Sequence, residues 1–311
     1  MKIKNVETKS DIFLAPMAGV TDIGFRQLCC HFGAGLTYTE MVSVKALYQN
    51  SKRTISMLRT FEGETPVAVQ LFGHEPEIFH EVIKRGLLDK FDIIDINMGC
   101  PAPKIVKNGD GSSLLKNIDL ARQIIEACVS ATDKPITVKF RKGFKDSDNV
   151  AVEFAKMCES AGASAITIHG RTREQMYSGK VDLQTITAVA AAVNIPVIGN
   201  GDIVDECTYE QMLKTGVDAV MVGRGCFGCP EIFAKLQNKS VDMTKMEMIE
   251  KHYEILSQVI QQKYLVKLFR KHLLWYLSGY KNCTELKKQI VLLTDVEEIF
   301  SLLREFFKDK E

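Results

Sequence analysis

Apolar positions along the chain follow two alternating patterns. Runs of five to seven residues rich in Val, Ile, Phe and Ala, broken by Gly, Pro, Asn or Asp, predict buried strands. They are IFLAPMA (12–18), LTYTEMV (36–42), VAVQLFG (67–73), FDIIDIN (91–97), ITVKF (136–140), AITIHG (165–170), PVIGNG (196–201) and AVMVGRG (219–225). Between them, EPEIFHEVIKRGLL, NIDLARQIIEACVSA, VAVEFAKMCESAG and DECTYEQMLKTG place apolar residues three or four apart, with acidic or amide residues near their starts, which predicts helices. Eight strand-then-helix units in about 235 residues fit a parallel (β/α)₈ TIM barrel better than an open doubly wound sheet. After about residue 240 the strand rhythm stops. MEMIEKHYEILSQVIQQKYL, KLFRKHLLWYLSGY and VEEIFSLLREFF predict helices, so the expected organisation is an α/β barrel over 1–240 and a small all-helical domain over 241–311.

Composition narrows the class. The chain has 311 residues, 46% hydrophobic and 25% charged, enough to bury a sizeable core. The start MKIKNVETKSDIFLAPM has no apolar segment with a small-residue cleavage site, and no run approaches bilayer length. The expectation is a cytoplasmic monomer with no membrane partner. A net charge of +1 gives no whole-chain sign of a nucleic-acid partner, so any such footprint must be local.

Nine cysteines without framework spacing read as buried thiols rather than disulfides. Cys29 and Cys30 sit in a predicted helix. Cys226 and Cys229 form the one CxxC, with no second pair at zinc spacing, and no metal is expected. Cys100 differs, because in DINMGCP it stands just past a strand, between Gly99 and Pro101. A barrel builds its active site at the carboxyl ends of its strands. Those ends carry Met17, Glu40, Gln70, Asn97 with Cys100, Lys139, His169 with Arg171, Asn200 with Asp202, and Arg224. Each alone has a structural explanation, such as a hydrogen-bonded core histidine or a rim lysine. Eight polar strand ends together describe one pocket. The glycines of NGD (200–202) and GRG (223–225), with Arg224, suit a phosphate beyond the last two strands. The first strand lacks a following GxGxxG, so a Rossmann nicotinamide domain is not expected.

The stretches APMAGVTDIGFR (15–26), QLFG (70–73), DINMGCPAPK (95–104), VKFRKG (138–143), HGRTREQMYSG (169–179), IGNGDI (198–203), VGRG (222–225) and RKHLLWYLSG (270–279) resemble the tRNA-dihydrouridine synthases, in particular the bacterial B-type subfamily. The likeness runs from about residue 12 to about 280 in the family's order. One departure is Glu231 in GCFGCPEIF, where the family has tryptophan.

The resemblance implies reduction of the C5–C6 double bond of specific tRNA uridines. Hydride from reduced flavin mononucleotide (FMN) would reach C6, a proton from Cys100 would reach C5, and NADPH would supply the electrons. A thiol near its unperturbed pKa of ~8.5 stays protonated at neutral pH and can serve as the acid. By position, Pro16, Met17 and Ala18 would line the isoalloxazine, Gln70 would bond its polar edge, and Lys139 would sit beside its N1–C2 region. Asn200, Gly201, Asp202, Gly223, Arg224 and Gly225 would hold the ribityl phosphate. His169 would contact the cofactor and, with Asn97, Arg171 and Arg173, face the uracil and nearby RNA. Two other functions fit parts of the pattern: a barrel flavoenzyme acting on a free pyrimidine, such as a dihydroorotate dehydrogenase, and a non-catalytic RNA-binding protein. Neither accounts for the whole. The first has no use for the basic helical tail, and the second none for the strand-end set. In that tail, residues 263–288 carry Lys263, Lys267, Arg270, Lys271, Lys281, Lys287 and Lys288 against Glu285 alone, a local charge of +6. Trp275, Tyr276 and Tyr280 interleave them, so the expected tRNA contact includes Lys267, Arg270 and Lys271.

Overall fold

The computed structural model describes residues 1–308 and Lys310. Eight parallel strands close into a barrel: β1 (Ile12–Leu14), β2 (Thr37–Tyr38), β3 (Val67–Phe72), β4 (Ile93–Met98), β5 (Ile136–Arg141), β6 (Ala165–His169), β7 (Val197–Asn200) and β8 (Ala219–Val222). β8 pairs with β1, and a bridge between Phe13 and Leu36 completes the ring. All eight coincide with the predicted runs. The second run is divided, because after Tyr38 the chain leaves the sheet and rejoins β3 through Val42–Ser43. An N-terminal hairpin, Lys2–Ile3 with Val6–Glu7, puts Ile3 among the residues filling the barrel.

Strand alternation sorts the side chains into two layers. Val67, Val69, Leu71, Ile94, Ile96, Val138, Ile166 and Ile168 point outward to the helices. Phe13, Ala15, Leu36, Tyr38, Ala68, Ile93, Ala165, Ile198, Ala219 and Met221 fill the interior. The inward columns of β4, β5 and β6 become polar towards the carboxyl end, as Ile93–Asp95–Asn97, Thr137–Lys139–Arg141 and Ala165–Thr167–His169. The parallel register sets these residues side by side: Gln70 faces Asp95, Asp95 faces Thr137, Asn97 faces Lys139 and Arg141 faces His169. A packed apolar base thus supports a polar upper layer.

The surrounding helices include α1 (Ile23–His31), α2 (Pro76–Lys84), α3 (Pro103–Lys107), α4 (Ile118–Ala131), α5 (Ala151–Ser160), α6 (Leu183–Ala190) and α7 (Glu206–Leu213). Asp22, Asn117, Asp182 and Asp205 accept the N-terminal amides of α1, α4, α6 and α7, as capping side chains should.

Beyond Thr244 the chain forms α8 (Lys245–Ser257), α9 (Gln262–Tyr276), α10 (Thr284–Leu292) and α11 (Val296–Phe307). The apolar pattern predicts one helix over 246–265, whereas the structure breaks it after Ser257. There the Val259 carbonyl accepts from the Arg59 guanidinium of the barrel instead of continuing the helix ladder. α10 escaped the sequence reading because its apolar face is thin, with Leu286 and Ile290 as its buried residues. α9 crosses the loop after β8 so closely that a Cβ on Gly228 would lie 2.3 Å from Trp275 backbone, so only glycine fits there. Among the described residues, no helix is long and apolar enough to cross a membrane.

Candidate active site

The carboxyl ends of the strands enclose a cavity of about 590 Å³. Its floor is Ala15, Pro16, Met17 and Ala18, one wall is Asn97, Gly99 and Cys100, and the far end is Asn200–Asp202 with Gly223–Gly225. Lys139, Arg141 and His169 also line it. A volume of this size lies within the range of about 300–1,000 Å³ usual for small-molecule and cofactor sites.

Cys100 is held from both sides. Asn97 Oδ1 accepts the backbone N–H groups of Gly99 at 3.2 Å and Cys100 at 2.9 Å. Arg141 Nε donates to the Gly99 carbonyl at 2.8 Å, and Ser112 N donates to the Cys100 carbonyl at 3.1 Å. Burial pushes the Cys100 thiol above its ordinary value, against the pull of the Ala102 amide, Arg141 and Lys139. The sulfur therefore carries its proton at neutral pH and has the protonation state of an acid, not of a nucleophile.

Lys139 donates to Asn200 Oδ1 at 2.9 Å, and Asn200 Nδ2 donates to the Met221 carbonyl at 2.8 Å. Burial, helped by Arg141 beside it, lowers the Lys139 amine to about 8. Burial and the surrounding cations, Lys139 foremost, hold His169 well below the usual imidazole value, so it is neutral. The site thus presents a poised amine and a neutral ring. An anionic group placed here would restore the Lys139 charge.

At the far end Asp202 is in the left-handed region, with φ 55°. Its carboxylate forms a bidentate pair with Arg171, at 2.8 and 2.6 Å, and meets Arg224 at 3.3 Å. The anion is thereby neutralised. Gly225 is obligatory, since a Cβ there would stand 2.0 Å from the Ile203 carbonyl oxygen.

The structure brings Pro16, Met17, Ala18, Asn97, Cys100, Lys139, His169, Asn200, Gly201, Asp202, Gly223, Arg224 and Gly225 to one cavity. It directs three other site candidates elsewhere. Gln70 is wholly buried, with its amide shared between Asp95 and Asn97. Arg171 is 2% exposed and holds Asp202 and the carbonyls of Ser178 and Gly179. Arg173 stacks its guanidinium 5.4 Å from the Phe144 ring.

Arg141, Met41 and Tyr177 also line the cavity, although the strand-end pattern does not single them out. Arg141 was recoverable, because strand alternation puts it on the same inward column as Lys139. Tyr177 sits at the mouth with its ring centroid 4.8 Å from the Arg224 guanidinium and 5.5 Å from that of Arg141, a loop placement that no periodicity announces.

In the basic tail, α9 exposes Lys263, Tyr264, Lys267 and Leu268 on its surface. Arg270 donates to the Leu293 carbonyl, and Lys271 Nζ lies near Gly19 of the cavity-floor loop. Trp275 packs against Phe227 at 4.6 Å and Tyr276 is buried, so these two rings serve packing. Glu231 is buried against Lys245 at 2.8 Å. Burial opposes its charge, but Lys245 outweighs this and holds the carboxyl below its ordinary value.

A family model described as dihydrouridine synthase matches residues 13–311. A probable tRNA-dihydrouridine synthase of Rickettsia conorii is 39% identical over 318 residues, covering 99% of this chain and 96% of that protein. The tRNA-dihydrouridine synthase B of Pasteurella multocida is 35% identical over 325 residues, covering 100% and 98%. That of Pseudomonas aeruginosa is 36% identical over 310 residues, covering 96% and 93%.

Proposed function

The chain belongs to the dihydrouridine synthase family, and from that membership we propose that it reduces specific tRNA uridines to 5,6-dihydrouridine, with FMN bound in the barrel cavity and NADPH as electron donor. The observation that carries this reading is Cys100, held by a braced turn on the wall of a cavity that also holds Lys139.

The residues present suit a flavin. An apolar floor at Pro16–Ala18 fits a ring system, the Lys139 amine fits an electron-rich ring edge, and Gly201, Gly223, Arg224 and Gly225 fit a phosphate with Asp202 neutralised by Arg171. When bound and reduced, the flavin supplies hydride to C6. Lys139 gives positive charge at the ring, Asn97 and Arg141 brace the Cys100 turn, and the Cys100 thiol delivers its proton to C5 from the opposite face. Neutral His169 can donate or accept a hydrogen bond at the uracil without adding charge. Gln70 and Arg171 act one step back, the first on Asn97 and the second on Asp202.

Residues 1–240 form the catalytic part in this reading and 241–311 the tRNA-binding part, with Lys263 and Lys267 as phosphate contacts. Lys271 stands where the helices meet the cavity-floor loop.

The test is spectroscopic. Purified protein should be yellow, bleach with NADPH, and regain colour when unmodified tRNA is added, with dihydrouridine formed. Protein that cannot be loaded with FMN, or that bleaches but never oxidises on tRNA, rules the reading out.

A further inference from the structure

Beneath the Cys100 turn, inward side chains of β3, β4 and β5 form one hydrogen-bonded line. The Gly99 and Cys100 amides donate to Asn97 Oδ1. Asn97 Nδ2 donates to Gln70 Oε1 at 2.7 Å, Gln70 Nε2 donates to Asp95 Oδ2 at 2.7 Å, and the Thr137 hydroxyl donates to Asp95 Oδ1 at 2.6 Å. Gln70, Asp95 and Thr137 are wholly buried.

The polarity of this line is fixed from its two ends. A backbone N–H only donates, so Asn97 must turn its oxygen to the Cys100 turn. A carboxylate only accepts, so Gln70 must turn its nitrogen to Asp95. The two amides then meet donor to acceptor. Without an acceptor at position 95, Gln70 Nε2 is left buried and unpaired, and only the bond from Asn97 Nδ2 to Gln70 Oε1 still opposes a flip. Flipped, it presents Nε2 to Asn97 Nδ2, and Asn97 relieves that clash only by turning its own nitrogen to the Gly99 and Cys100 amides. If Asn97 turns, the Gly99 and Cys100 amides lose their acceptor, and if it does not, the turn is held only against that clash.

We propose that Asp95 is a positioning residue for this site: its carboxylate sets the amide orientation of Gln70, and through Gln70 that of Asn97, and so holds the Cys100 thiol on the cavity wall. The proposal rests on Cys100 being the proton donor. Asp95 does not line the cavity and acts through two intervening amides. The rival account is that its charge acts on Lys139.

Two substitutions separate these. Asp95→Asn removes the charge but keeps an oxygen for Gln70 Nε2, while its nitrogen meets the Thr137 hydroxyl, which can rotate to accept. Asp95→Leu keeps the volume and removes the acceptor. In single-turnover oxidation of the reduced, FMN-loaded enzyme by unmodified tRNA, Asp95→Asn should stay near wild type. Asp95→Leu should fall by about 5- to 150-fold, the equivalent of leaving one buried donor unsatisfied. Flavin reduction by NADPH should be unchanged in both. A second readout needs no turnover: alkylation of Cys100 by iodoacetamide, followed peptide by peptide in the oxidised holoenzyme, should be about tenfold faster in Asp95→Leu and unchanged in Asp95→Asn. If wild type makes no dihydrouridine, the proposed function fails while alkylation still reports on the turn.

Equal losses in both variants would show that charge matters and overturn the proposal. So would wild-type behaviour of Asp95→Leu. Should Asp95→Leu not fold, Gln70→Glu decides. Its carboxyl can stay within reach of both Asn97 and Asp95 only while a proton lies between the two carboxyl groups, since two anions at that distance repel and pull the acceptor away from Asn97, in a site whose other titratable neighbours are Lys139 and Tyr38. The ratio of its alkylation rate to that of wild type should then climb with pH, and a flat ratio would refute the relay.

Discussion

Lys139→Met should stabilise the flavin-free protein at neutral pH, although it removes a side chain from the centre of the site. Lys139 sits on the inward column of β5 with Arg141 two residues on, and burial together with that neighbour brings its amine from 10.5 to about 8. Because the folded value lies below the unfolded one, between pH 8 and 10.5 the unfolded chain holds a proton that the folded chain does not. Stability from this group therefore rises through that window and is complete above it. Below pH 8 both states are charged, and the folded state bears the whole cost of burying the ammonium. Each pKa unit is about 1.4 kcal/mol, so the full cost is about 3 kcal/mol. Water in the flavin-free cavity screens part of it, leaving about 1–3 kcal/mol. Methionine has similar length and no charge. Urea unfolding of both flavin-free proteins should show Lys139→Met ahead by that amount at pH 7, with the gap closing from pH 8 to 10.5. Bound, reduced FMN should reverse the order, since its ring would carry negative charge beside Lys139 and restore the ammonium. Parallel stability curves for the two proteins across this range would refute the argument.

Cys100→Ala should still bind flavin and oxidise NADPH while dihydrouridine formation falls ~10²- to 10⁴-fold, the loss typical of removing a general acid; undiminished product would exclude Cys100 as donor. Glu64→Gln should lower stability by about 3–5 kcal/mol, because it leaves the buried Arg26 guanidinium, now 2.6 and 3.0 Å from that carboxylate, without its counter-charge. An unchanged urea midpoint would show the pair to be dispensable. Replacing Lys263 and Lys267 with glutamine should weaken tRNA binding and flatten its salt dependence by ~0.7–0.9 for each phosphate no longer neutralised, leaving NADPH oxidation intact. The same slope in the variant would put the RNA elsewhere.

The barrel was legible because buried parallel strands are short, continuous apolar runs, and eight of them with helices between leave few architectures. The cavity residues were legible for a related reason, since polar side chains gathered at the carboxyl ends of barrel strands mark where a pocket is built. What escaped the reading depends on partners distant in sequence. Arg171 looked like a substrate contact, and its burial follows from Asp202, which sits 31 residues further on. Gln70 looked like a cofactor ligand, and only the register of β3 against β4 shows it facing Asp95. At the break in the C-terminal helical pattern, the Val259 carbonyl is bound by Arg59, 200 residues earlier in the chain.

The C-terminal helices are tied to the cavity floor through Asp22. Its carboxylate caps α1 through the Phe25 amide at 3.0 Å and meets His252 Nε2 of α8 at 3.1 Å and His272 Nε2 of α9 at 2.7 Å. Burial lowers His272 to about 4, which keeps that ring neutral. His252 Nδ1 also lies 3.1 Å from the Tyr276 hydroxyl, so both rings and the carboxylate are tied into one buried hydrogen-bonded cluster. The three residues offer ligand atoms within 4.8 Å of one another, and these hydrogen bonds account for that closeness. Asp22 ends the loop that begins with Ala15 and carries Pro16, Met17 and Ala18 on the cavity floor. One set of buried side chains also runs without interruption from Phe25 and Cys29 to Met248, Phe269 and Leu273. Residue 240 therefore marks where the local pattern changes from strands to helices, while packing continues across it. An RNA held on α9 is held by helices that grip the same loop on which the flavin ring would rest.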